Sequence, residues 1–284
     1  MLYRRLSVSF FVLVLAVAIA QSAWSDAPGD IRIVAPYAGW LTNVYERSSD
    51  MGDIELTDTG LMLGLYAQWI RRGSFQGNMF LYHAPDVNYA TLWGLHSNVD
   101  FYFDIGPLRN LVVGGGLELL TLDIDAGDNV DVVQPGTGTS VTLQDFALQT
   151  AIIAPFLRAG KQYPLSSDRA QLVIFPWAGA ELDIVRGDLE FVVPAPPGMQ
   201  QEIDLDDERL YALAGINLRS TLFRFIQLDA KYSAAFTRHT YLPRASLMAN
   251  LFFTRNLGLS YRFSYMKNSA GSNMYHLLGT VVTF

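Results

Sequence analysis

The sequence predicts an all-β protein, a single transmembrane antiparallel up-and-down barrel of about twelve strands. Three observations carry this. Runs of about ten residues alternate large apolar with small or polar side chains along most of the chain, with almost none of the three-and-four spacing of a helix. The connections between these runs alternate long with short, as in a barrel with brief turns at one end and longer loops at the other. The chain also opens on an export signal, yet holds no later run of about 20 apolar residues that would cross a membrane as a helix.

Residues 1–25 read as a cleavable secretory signal peptide: Arg4 and Arg5 give the positive start, residues 6–20 the apolar stretch, and Ala23-Trp24-Ser25 a small-residue cleavage site. Ala18-Ile19-Ala20 is the alternative site, and cleavage after Ser25 is preferred. Residues 26–284 are then one domain, with half of the whole chain apolar. The absence of cysteine excludes a lipid-modified amino-terminal Cys, a disulfide framework and thiolate metal sites. A net charge of -7 disfavours nucleic acid and gives no attraction to anionic headgroups.

Strands are expected near 30–41, 59–71, 74–82, 91–104, 110–123, 143–158, 169–186, 208–219, 225–236, 244–253, 257–267 and 273–284. The alternation is plainest over 226–236, where Ile226, Leu228, Ala230, Tyr232, Ala234 and Phe236 oppose Gln227, Asp229, Lys231 and Ser233. It recurs over 257–266, where Leu257, Leu259, Tyr261, Phe263 and Tyr265 oppose Gly258, Ser260, Arg262 and Ser264. Over 93–104 it sets Trp93, Leu95, Val99, Phe101 and Phe103 against Gly94, His96, Asn98, Asp100, Tyr102 and Asp104. Long connections are expected over 42–58, 124–142 and 187–207, and short ones over 72–73, 105–109, 220–224 and 254–256. The last long one is proline-rich and acidic, with Glu202, Asp204, Asp206, Asp207 and Glu208, which suits an exposed surface. It lacks the spaced Asp-x-Asp-x-Asp-Gly order of a calcium loop.

Alternation alone also fits a soluble β-sandwich, whose apolar faces meet in a core. Aromatic residues at strand ends (Trp40, Trp69, Tyr82, Phe103, Tyr241 and Phe253) favour the membrane, because amphipathic rings settle at headgroup level. A sheet in hydrocarbon must close on itself, since no water is there to satisfy an open edge.

The last residues, 273–284, put Phe284, Val282, Thr280 and Leu278 on one strand face and Thr283, Val281, Gly279 and Leu277 on the other. Gly279, Val282 and Phe284 resemble the carboxyl-terminal signature of bacterial outer-membrane β-barrel proteins; Leu277 departs from it, since that place is usually polar. The resemblance implies an outer membrane of Gram-negative type, recognition of Phe284 by the barrel-insertion machinery, lipid as the surrounding partner, periplasmic termini, and a last strand closing against the first.

No nucleophile set stands out. Within His96-Ser97-Asn98 the hydroxyl faces away from the other two groups, and His83, Asp86, His239 and His276 are scattered candidates for a hydrolase. Gly114-Gly115-Gly116 falls inside a strand and eases packing of a curved wall. No catalytic residue, cofactor or metal ligand is expected. Charges expected to line the lumen are Arg32, Asp100, Asp104, Glu118, Glu181, Asp183, Arg219, Asp229, Lys231 and Arg262, together with His96, because an arginine or lysine on the lipid face at the midplane costs about 2–4 kcal/mol. The expected function is non-enzymatic: a narrow, porin-like channel for small polar solutes or an envelope barrel working through external loops. The alternatives are a lipid-modifying enzyme or protease, and an adhesion or structural protein.

Overall fold

The computed structural model describes residues 30–49, 52–71, 73–87, 90–125, 130–133, 140–167, 169–193, 199–223, 225–269 and 271–284. The expected signal peptide lies outside them. Fifteen strands follow one another: β1 (Asp30–Ser49), β2 (Gly52–Arg71), β3 (Phe75–Val87), β4 (Ala90–Phe103), β5 (Leu111–Asp125), β6 (Val130–Val133), β7 (Ser140–Lys161), β8 (Tyr163–Ser166), β9 (Ala170–Val193), β10 (Met199–Asp204), β11 (Asp207–Leu222), β12 (Ile226–Phe236), β13 (Tyr241–Phe252), β14 (Leu257–Asn268) and β15 (Gly271–Thr283). Among the described residues the only helical turn is Gly106–Leu108.

Twelve of the strands form the wall. Each pairs antiparallel with its neighbours in the order β1-β2-β3-β4-β5-β7-β9-β11-β12-β13-β14-β15, and β15 pairs back to β1, from Ile33 against Thr283 to Tyr45 against Gly271. This is a closed antiparallel barrel, and its last strand closes on its first, as the carboxyl-terminal resemblance implies. The short strands are additions: β6 lies on β7, β8 and β10 lie on β9, and one bridge joins Asp53 of β2 to Val133 of β6.

The two faces of the wall follow the alternation. Leu61, Val99, Val113, Leu157, Leu182, Leu218, Leu251, Leu259 and Leu278 are exposed outward, while Tyr66, Phe80, Asn98, Arg158, Glu181 and Asp229 on the opposite parity are buried inside. Aromatic rings mark both ends of the outer band, with Trp40, Trp93, Phe236 and Tyr241 at one end and Phe101, Phe103, Phe223, Phe225 and Phe253 at the other. Strand β13 is 12 residues long; at about 3.3 Å per residue and a tilt of roughly 45° it spans roughly 28 Å along the barrel axis, close to the thickness of a hydrocarbon core. Of the aromatic residues expected at the rims, Tyr82 is instead an inward residue, stacked on Phe80 at 5.3 Å and set against Tyr275 at 5.8 Å.

One end of the barrel, the turn end, carries the short turns and both ends of the described chain. Gly73, at φ 73°, makes the tight turn between β2 and β3. At the opposite, long end the sequence reading is corrected. Residues 42–58 are not a long loop: β1 and β2 continue as a paired hairpin to Ser49 and Gly52. Likewise β3 and β4 pair as far as Val87 and Ala90, and β9 runs on to pair with β10. The hydrogen-bond ladder continues where the apolar alternation stops. Beyond the aromatic band an outward side chain no longer gains from being apolar, so the pattern ends before the strand does.

Candidate functional site in the barrel interior

The inward parity of twelve strands builds a side-chain-filled interior in tiers. At the turn end, Arg219 on β11 bonds Asp229 on β12 through Nε at 3.3 Å and Nη2 at 3.2 Å, and its Nη1 donates to Gln76 Oε1 on β3 at 2.7 Å. The Tyr102 hydroxyl on β4 donates to the same Gln76 oxygen at 3.0 Å. Strands β3 and β11 are five places apart in the ring of twelve, so the Arg219 to Gln76 bond is a strut across the barrel. Beside it Arg158 on β7 grips Asp100 on β4 with three bonds of 2.7–3.1 Å, and the Asn98 amide donates to Asp100 at 3.3 Å. The Arg158 guanidinium is also flanked by Phe156, Phe175 and Trp177, with ring centroids at 5.3–5.9 Å.

A second strut lies nearer the long end. Arg244 on β13 donates to both oxygens of Glu181 on β9, at 2.6 and 2.5 Å, and approaches Glu118 on β5 at 3.5 Å. Strands β5 and β13 are again five places apart. His96 Nδ1 lies 2.9 Å from Glu118, which places Glu118 between two partners. The Glu181 side chain is only 1% exposed and that of Arg244 13%, so the pair is largely desolvated and each partner depends on the other. Asp183, one inward position further along β9, accepts a bond from the Ser269 hydroxyl at 2.8 Å.

Around the second strut is a cavity of about 130 Å³, walled by Tyr82, Phe156, Trp177 and Tyr275 and bordered by His96, Glu118, Glu181, Asp183, Lys231, Arg244 and Arg262. Arg262 on β14 lies over the Phe80 ring at 4.0 Å and the Tyr66 ring at 5.2 Å, and its Nε donates to the Tyr275 hydroxyl at 3.4 Å. Toward the long end the lining turns apolar, with Leu41, Tyr45, Leu92, Leu122, Phe146, Leu148 and Leu205 joined in one buried cluster.

The residues singled out from the sequence are placed as follows. His96, Glu118, Glu181, Asp183, Lys231 and Arg262 border the cavity, and Asp100, Arg219 and Asp229 lie inside toward the turn end. Two do not lie inside. Asp104 falls just past the end of β4, with its side chain 72% exposed and 3.6 Å from Arg109. Arg32 takes the outer parity of β1, with Ala38 and Trp40, half-buried at the turn-end rim where its backbone pairs with Phe284. The sequence reading missed Arg158, Arg244 and Gln76. Arg158 and Arg244 sat at the expected ends of their strands, and since β7 runs to Lys161 and β13 starts at Tyr241 both are well inside. Parity with Asp183 and Lys231 on neighbouring strands was the signal that finds them.

The hydrolase candidates do not meet. The His83 ring faces outward and stacks on Trp93 at 3.7 Å, His239 lies in the exposed β12–β13 turn, and His276 is on the outer wall, 2.8 Å from the Tyr261 hydroxyl. The Asp86 side chain is outside the described set. No three of His, Asp and Glu among the described residues converge as a metal-binding group.

No protein-family model and no curated protein matches the chain. Among solved structures, the translocator domain of the autotransporter NalP from Neisseria meningitidis is similar over 99% of this chain and 96% of its own, at 14% identity and a TM-score of 0.56. The beta domain of the Bordetella autotransporter BrkA aligns over 88% of this chain and 98% of its own, at 17% identity and a TM-score of 0.42. The KdgM porin in complex with disordered oligogalacturonate aligns over 89% and 99%, at 9% identity and 0.42. By its likeness to the first of these, the chain has the twelve-strand barrel fold found in bacterial outer-membrane proteins.

Proposed function

We propose that the protein resides in a bacterial outer membrane with its turn end in the periplasm, and that it is a narrow, non-enzymatic channel for small polar solutes whose interior struts hold it nearly closed at rest. The observation that carries this reading is the pair of struts, Arg219 to Gln76 and Arg244 to Glu118, that cross a polar interior, the second of them lining its cavity. A wall with this outward apolar band needs lipid as its partner. A filled interior of charged groups has no purpose in merely spanning lipid, since apolar packing of similar volume is often as stable. Polar, breakable crossings suit a path for solutes better than a fixed plug. The Gly279, Val282 and Phe284 signature supports delivery by the barrel-insertion machinery.

The test is conductance in planar bilayers. The native protein is expected to give small, infrequent steps, and the Arg219→Ala/Asp229→Asn variant, which removes one strut with its charge partner, larger and longer ones. If both are silent while folded, the channel reading fails. A second reading, an envelope barrel working through its external parts, is favoured by one observation: β1–β2 and β7–β9 extend well past their neighbours at the long end. Proteolytic trimming of those hairpins that leaves conductance intact but abolishes attachment to cells would favour it.

A further inference from the structure

Among the described residues the interior holds five cations (Arg158, Arg219, Lys231, Arg244 and Arg262) against five acids (Asp100, Glu118, Glu181, Asp183 and Asp229), and its balance is only formal. Three of the cations are matched: Arg158 by Asp100, Arg219 by Asp229, and Arg244 by Glu181 with Glu118. The other two are not. Among the described residues no carboxylate comes within ion-pairing distance of Lys231, and Arg262 is held by aromatic faces and one phenol. Both border the same cavity, and both border a smaller void of about 20 Å³ beneath it. Among the described residues the carboxylate beside them is Asp229, which borders the smaller void with both; its Oδ2 is engaged by Arg219 and its Oδ1 has no hydrogen-bond partner, so Arg219, Lys231 and Arg262 share a single acid.

We infer that this cavity is a recognition site for a small organic carboxylate with an apolar body, the carboxylate set between Lys231 and Arg262 and the body laid against Phe156, Trp177 and Tyr275. Desolvated cations that share a single carboxylate are costly, and an incoming anion offsets that cost. Lys231 on β12 and Arg262 on β14 flank β13, with the Ser246 hydroxyl between them in register with Lys231, so three donors reach one place. Tyr82, Phe156, Trp177, Tyr265 and Tyr275 give part of the lining flat apolar faces, which favours a flat apolar body over a sugar. Size limits the choice: the enclosed space measures about 130 Å³, below the roughly 150 Å³ that accepts one benzene, so the body is no larger than one small ring and is not fully enclosed. The acids at the long-end side are mostly occupied, Glu118 and Glu181 by Arg244 and His96. Asp183 keeps one buried oxygen without a hydrogen-bond partner, so a cationic ligand is the competing outcome.

The inference rests on the channel reading only in that the ligand must reach the interior, and the two are separable. Binding of benzoate, benzamide and benzylamine to the folded protein in detergent is measured by isothermal titration calorimetry. Benzoate is expected to bind, benzamide and benzylamine at least about tenfold more weakly, and Lys231→Met to lose benzoate by a similar factor while Lys231→Arg retains it. Folding of each variant is checked by heat-modifiable gel mobility; should Lys231→Met fail to fold, Arg262→Lys, which keeps the charge but loses the stacked fork, serves instead and is expected to weaken benzoate. Equal binding of the three ligands, preference for the amine, no binding at all, or unchanged benzoate binding in the substituted protein overturns the site. A silent bilayer with benzoate binding intact sinks the channel and leaves the site standing; a conducting barrel indifferent to benzoate does the reverse.

Discussion

Replacing Arg244 by methionine tests how the interior is held together. Arg244 fills both oxygens of Glu181, whose side chain is 1% exposed, and supplies one of the two partners of Glu118. Methionine keeps much of the stem volume and removes the fork, leaving a buried carboxylate with no counter-charge. Breaking a buried pair in this way costs about 3–5 kcal/mol, whereas replacing both partners with groups of similar shape is often close to neutral. The single Arg244→Met substitution should therefore destabilise the barrel by about 3–5 kcal/mol, and adding Glu181→Gln should recover part of it, the remainder being Glu118 left with His96 alone. The assay is reversible urea unfolding of protein folded into vesicles, followed by tryptophan fluorescence, with both single variants and the double to close the cycle. A single variant within about 1 kcal/mol of the native protein, or a double variant as unstable as the single, would refute the claim that this strut is desolvated and mutually dependent.

Three further outcomes follow from the wall. Leu278, 69% exposed near the middle of β15, should cost about 2–4 kcal/mol when replaced by arginine. The same change at Leu257, the first residue of β14, should cost about 0–1 kcal/mol in the same vesicle unfolding assay. At the closing seam, a Cβ on Gly279 would stand 2.0 Å from the Pro36 carbonyl oxygen and 2.8 Å from the Tyr37 ring, so Gly279→Ala should lose about 1–3 kcal/mol and lower the yield of heat-modifiable barrel. Deleting Phe284 should slow assembly by the insertion machinery in reconstituted membranes while leaving spontaneous folding in detergent nearly unchanged.

Much of this was legible because one rule, a period of two with opposite environments on the two faces, governs the whole wall. Asp229 and Lys231 against Leu228 and Tyr232, or Arg262 against Tyr261 and Phe263, read directly as inside and outside. What the rule hides is extent. Glu46, Arg47, Ser48 and Ser49 look like a loop because nothing there is apolar, yet they pair with residues 52–55 as ordinary strand. Arg158 and Arg244 were hidden by the same error at the ends of their strands. The struts were not legible at all, since which inward groups meet across the barrel depends on strand tilt and cross-section, and neither is written in local periodicity. Tyr82 shows the other limit: an aromatic near a strand end sits equally well at a rim or inside, and here its stacking with Phe80 and Tyr275 decides for the interior.

The account depends most on the apolar face of the wall being turned toward hydrocarbon, and the absence of native cysteine makes that directly measurable. Single cysteines at Leu218, Leu278 and the inward Ser264 are labelled with an environment-sensitive fluorophore, and the protein is folded into vesicles carrying spin-labelled acyl chains. Strong quenching at Leu218→Cys and Leu278→Cys with little at Ser264→Cys is the predicted result; equal quenching at all three, or emission from Leu278→Cys typical of water, would contradict it.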